Sequence, residues 1–138
     1  MIPEQLQQLA AQALEARRLK LISKTRSLSA GETYVVANLD GPHWILMSYG
    51  RITDKDATVT WELDGTVFSI TPSQGFDMGV DDPNPVMPFI TKYDPTNDDY
   101  AFMWTPVGGI KVDEKFRLIV TATNACTGTL LLYYYVLR

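Results

Sequence analysis

Residues suited to covalent and metal chemistry are almost absent from this chain. It has one cysteine, Cys126, and one histidine, His43, in 138 residues. A single cysteine excludes an intrachain disulfide and a thiolate zinc cluster, and a single histidine excludes a multi-histidine metal site. Long apolar runs are missing as well. The longest, Leu130 to Leu137, has eight residues, far below the ~20 that a helix needs to span a bilayer. Met1-Ile2-Pro3-Glu4 places no basic residue ahead of an apolar stretch, so a secretory signal is not expected. No Asn-x-Ser/Thr acceptor occurs. Together these absences lead us to expect a full-length protein folded in a reducing cytosol.

What is present points to one β-rich domain. Seven Tyr, five Phe and three Trp stand in a chain that is 46% hydrophobic and 20% charged. Aromatic residues favour strands, and a chain of this length suffices for a single core. The charge is divided along the sequence. Residues 1–30 hold five basic and two acidic residues, a net +3, whereas residues 31–138 hold seven basic and fourteen acidic, a net −7. A basic arm on an acidic body fits docking on a neighbouring copy or partner. Nucleic acid is the weaker reading, because no aromatics interleave the basic residues. A solvated basic helix face is the plainest alternative.

Periodicity changes near residue 28. Before it, Leu6, Leu9, Ala10, Ala13 and Leu14 recur at helical spacing, with Leu21 one further step on, and they form one apolar stripe. Pro3 suits the first turn, Glu4 the positive end of the helix dipole, and Arg17 and Arg18 its negative end. The pattern predicts an amphipathic helix over residues 3–21, fraying beyond about 20, then a polar linker from Lys24 to Ala30. A helix this short needs a surface to pack on. We therefore divide the chain into a helical arm with basic linker, 1–28, and a β domain, 29–138.

After Gly31 the period is two. Strands are predicted at Tyr34–Leu39, His43–Tyr49, Thr58–Leu63, Thr66–Ile70, Val86–Lys92, Tyr100–Thr105, Phe116–Ala122 and Thr129–Leu137. Asp64-Gly65 marks a tight hairpin, and Pro88 moves its strand toward an edge. Residues 71–85, with Pro72, Gly75, Gly79, Pro83 and Pro85, read as a long loop. Eight strands without alternating helices predict an antiparallel β-sandwich of jelly-roll type, preceded by one helix. The last strand is apolar on both faces. It must lie centrally or be covered by the helix or by another subunit.

No catalytic constellation emerges. Cys126 sits in a turn-like Asn124-Ala-Cys-Thr-Gly128 segment, His43 follows a turn, and no nucleophile elbow accompanies either. Residues 77–99 carry six Asp and one Lys. Asp81-Asp82-Pro-Asn84 and Asp94 to Asp99 offer oxygen ligands for calcium, but neither fits an EF-hand loop, and turn chemistry accounts for these residues. The acids are too many to single out a glycosidase pair. Trp61 shares a face with Val59 and Leu63 and belongs in the core. Trp104, near Pro106 at a strand end, is the tryptophan expected at the surface, where a sugar or protein partner would meet it. We expect no enzyme, cofactor or metal.

A helical arm, a basic linker, and a sandwich that opens Ala30-Gly31-Glu32, continues Leu39-Asp40-Gly41 and turns at Trp61-Glu-Leu-Asp-Gly65 resembles the small jelly-roll structural proteins of tailed-phage virions. These are the decoration, head-fibre, collar and tail accessory proteins. The motifs cover about residues 29–70, and the remainder matches only in strand rhythm. The resemblance implies a virion protein, present in the host cytoplasm during assembly, whose partners are its own copies and other virion proteins. It implies assembly into a symmetric particle with the arm as tether; from the stripe, charge and strand-end readings above, contact is expected through Leu6, Leu9, Ala13, Leu14, Arg17 and Arg18 of the arm and through Trp104. A carbohydrate- or receptor-binding module that reads a host-surface glycan is the alternative.

Overall fold

Alternation decides which side of each strand is buried. In Thr58–Leu63 the side chains of Val59, Trp61 and Leu63 are buried, while Thr60 and Glu62 face outward. The computed structural model describes residues 19–80, 83 and 86–137. Ten strands run through them: β1 (Leu19–Leu28), β2 (Thr33–Asp40), β3 (His43–Ile52), β4 (Thr58–Leu63), β5 (Thr66–Ile70), β6 (Phe89–Asp94), β7 (Asp99–Trp104), β8 (Ile110–Val112), β9 (Lys115–Thr121) and β10 (Cys126–Val136), with one short helix, α1 (Pro72–Asp77). The first sheet has the order β1-β10-β3-β7-β6, with β8 also on β3; the second has the order β2-β9-β4-β5. Every pairing is antiparallel.

Four of these pairings nest. β1 pairs β10, β2 pairs β9, β3 pairs β7 and β4 pairs β5, each enclosing the next in sequence. The chain is therefore one long hairpin, folded so that alternate pairs fall in opposite sheets. The inner faces close on a common core. Ile45, Ile52, Phe102, Leu130 and Leu132 of the first sheet meet Val59, Trp61, Phe116, Leu118 and Val120 of the second. Trp61 bridges the layers, edge-on to Phe102 at 5.6 Å and to Trp104 at 6.1 Å. Gly50 leaves room for this cluster, since a Cβ there would lie 2.0 Å from the Phe102 ring.

Several expectations are met. All eight predicted strands form, although the total is ten rather than eight because β1 and β8 are added to the first sheet; Trp61 is fully buried, and β6 is the edge strand that Pro88 announces. Asp64 and Gly65 both have positive φ, 49° and 88°, as the tight hairpin requires.

Three expectations are corrected. The first concerns residues 19–28, read as the end of a helix and a polar linker; they form β1. Its ladder runs from Leu19 opposite Tyr135 to Leu28 opposite Cys126. The edge offered by β10 outweighs local propensity there. The remainder of the predicted helix, with Leu6, Leu9, Ala13, Leu14, Arg17 and Arg18, lies outside the described residues. The second correction is α1, found inside the expected loop. Thr71 caps it, its Oγ1 accepting from the Gln74 N–H at 3.0 Å, and Pro72 opens it. The third is Trp104. It is 2% exposed, and its Nε1 donates to the Val86 carbonyl at 2.8 Å. The aromatic cluster claims it, so the exposure expected of it at the strand end is not found.

Candidate interaction surface

The outer faces of the two sheets differ in chemistry. On the second sheet they carry polar pairs. The Thr33 and Thr121 hydroxyls lie 3.0 Å apart. Arg117 donates to both oxygens of Glu62, at 2.7 and 2.9 Å, which lowers the Glu62 pKa and raises that of Arg117. Lys115 lies 3.5 Å from Asp40. Apolar residues here are few, Val35 and Val67 being the large exposed ones.

The first sheet presents three apolar rows instead. Leu19, Tyr135 and Trp44 are register partners across β1, β10 and β3; Leu21, Tyr133 and Met47 form the next row. Ser23, Leu131, Tyr49, Met103 and Phe89 extend the third across five strands. Ser23 is the small polar residue among them. Leu19 is 39% and Leu21 51% exposed; Leu131, the tyrosines, Trp44, Met47 and Met103 are half-buried, and Phe89 at the far end is buried. From strand spacing and rise, the rows cover about 14 Å along the strands; across the sheet the first two span about 10 Å over three strands and the third about 19 Å over five. Trp44 is fixed at one corner, its Nε1 donating to the Gly108 carbonyl at 2.8 Å.

A charged border closes this patch. In the fourth row Thr25 and Thr129 share a hydroxyl contact of 2.9 Å. Next to them Arg51 donates through Nε to Asp99 at 2.6 Å, and Lys92 donates to the same carboxylate at 2.5 Å. These two cations, Arg51 foremost, hold the Asp99 carboxyl far below the ordinary range. β10 does lie between two strands, as its two apolar faces required, and its inner side chains Leu130 and Leu132 are in the core. Its outer side chains from Thr129 to Tyr135 are half-buried.

The residues considered for chemistry are held apart or engaged in structure. His43 pairs with Val136 at one end of β10 and Cys126 begins the other end, about 33 Å away at the rise of a strand. His43 Nδ1 meets the Gly41 carbonyl at 2.9 Å, and the ring lies edge-on to Tyr134. Cys126 is buried, which pushes its thiol pKa up. Asp94 accepts from the Thr96 and Asn97 N–H groups and from the Asn97 side chain, so it works as a turn residue. Asp81, Asp82 and Asn84 lie outside the described residues. Among the described residues no group of three or more His, Cys, Asp or Glu is placed to hold a metal ion, and no helix is long and apolar enough to cross a membrane.

A second apolar feature is a cleft of about 370 Å³ between β5 and α1, lined by Phe68, Ile70, Met78, Val80 and Met87. The three-row patch was not anticipated from the sequence. The available signal was the double apolar character of β10; its neighbours Leu21, Met47 and Tyr49 are assigned to it only by register.

No protein-family model matches the chain, and no curated protein matches it. Among solved structures it is similar to a chain of the capsid of Ralstonia phage GP4, at 12% identity and a TM-score of 0.38, over 87% of this chain and 84% of that one. A likeness of that score and identity carries no argument about fold or role.

Proposed function

We propose that this chain is a non-enzymatic structural protein of a phage virion, a decoration or tail and collar accessory, which works through protein–protein contacts with its N-terminal segment as tether. The observation that carries the reading is the contrast between its outer faces. One sheet is finished for water with threonine, Arg–Glu and Lys–Asp pairs. The other leaves three apolar rows open, which is how an interface is built on a sandwich. The nested hairpin supports a jelly roll of eight strands with β6 and β8 added, in line with the motif resemblance over residues 29–70. His43 is hydrogen-bonded to the Gly41 carbonyl, Cys126 is buried, and Asp54, Glu62, Asp64, Asp94 and Asp99 are engaged in structural hydrogen bonds, which favours a role without catalysis. The proposed partners are copies of this chain and other virion proteins, in the virion and, during assembly, in the host cytoplasm.

The test is the native mass of the full chain and of a chain lacking residues 1–18. The cut stops at 18 because residues 19–28 form β1. We expect a multimer for the first and a folded monomer for the second. An unchanged multimer after truncation contradicts the tether. A second reading, glycan binding, is favoured by Tyr49, Tyr133 and Tyr135, which stand on neighbouring register positions of β3 and β10; saturable glycan binding by the monomer would select it.

A further inference from the structure

We infer that the three apolar rows on the first sheet are the seat for residues 1–18 of a neighbouring copy of this chain. The inference rests on the assembly reading above and names the two surfaces that meet. Eighteen residues precede Leu19, and Leu19 itself belongs to the first apolar row. Those residues carry Leu6, Leu9, Ala10, Ala13 and Leu14 at helical spacing. A helix of about 14 residues is about 21 Å long, close to the ~19 Å of the third row across five strands. The chain thus holds an apolar stripe and an open apolar face of matching size.

The direction of the chain decides between its own face and a neighbour's. Folding back onto its own sheet needs a turn between Leu14 and Leu19. From Glu4 to Ile22 there is no Gly, Pro, Asn, Asp or Ser, the residues from which turns are made. β1 is also the edge strand of its sheet. A segment that continues from Leu19 without reversal leaves its own body and reaches another.

Full-length variants test this. Sedimentation should show a multimer for the natural sequence. Leu9→Asp in the stripe and Leu21→Asp in the seat should each weaken association by about 100-fold, since either buries a carboxylate in an apolar contact. Val67→Lys on the other sheet should leave it intact. If Leu9→Asp dissociates the multimer and Leu21→Asp does not, the seat is wrong and the tether stands. If neither dissociates it, the tether itself fails, and a monomeric natural chain removes both. A cross-link covers the case in which Leu21→Asp fails to fold. Full-length Leu9→Cys mixed with full-length Tyr133→Cys should form an interchain disulfide, with Cys126 buried and out of reach. No interchain bond, or an intrachain bond in the double variant, overturns the proposal.

Discussion

Asp54 is 4% exposed yet carries a charge, because donors from two loops converge on it. It accepts from the N–H groups of Asp56, Thr123 and Asn124 at 3.0, 3.0 and 2.8 Å, and from the Asn124 side chain at 3.1 Å. Burial raises its pKa, but these hydrogen bonds outweigh burial and hold it below the ordinary value. A carboxyl with a lowered folded pKa contributes stability above the ordinary carboxylate range, and loses it as the pH falls toward the folded value. Asp54→Asn turns an amide toward backbone donors that need an acceptor. We predict a loss of about 3 kcal/mol at neutral pH, shrinking below pH ~4 as the natural carboxyl also protonates. Thermal melts of both chains across that range check it; equal stability at neutral pH would contradict the clamp. Trp104 belongs to the same scale. Its place at a strand end suggested exposure, but a side chain's surroundings are set by the facing layer, here Trp61 and Phe68.

At the scale of elements, the β4–β5 hairpin is fixed by two residues. Gly65 has φ 88° and open space around its Cα, with nothing within 4 Å of an added Cβ. A substitution there therefore costs backbone strain alone. Gly65→Val should lower stability by about 1 kcal/mol or more, read by denaturant unfolding, and a neutral result would remove the turn assignment. Asp64 adds a second function at the same tip. Its carboxylate accepts from the N–H groups of Asp113, Glu114 and Lys115 and joins the hairpin to the β8–β9 turn. Hairpins and alternating strands of this kind were legible, because period two and Asp-Gly are local signals. β1 was not. Leu21 continues the spacing of Leu6 and Leu14, so the helical stripe runs on into it, and the choice is made by β10, far away in sequence. β8 has three residues, too few for any period. The patch was legible only in part, through β10, since its rows draw on five strands brought together by register.

For the whole molecule, one folded hairpin produces two layers with unlike exteriors. The second sheet's exterior is polar. The first sheet's apolar exterior, bounded by Arg51, Asp99 and Lys92, is the face to which the proposal assigns association. Hydroxyl-radical footprinting of the full chain, taken from dilute to concentrated solution, tests that claim most directly. The account predicts that labelling of Leu21, Tyr133 and Tyr135 falls on association while Val35 and Val67 stay as reactive as before. Unchanged labelling of the first three in the multimer, or protection of Val35 and Val67 in their place, would contradict it.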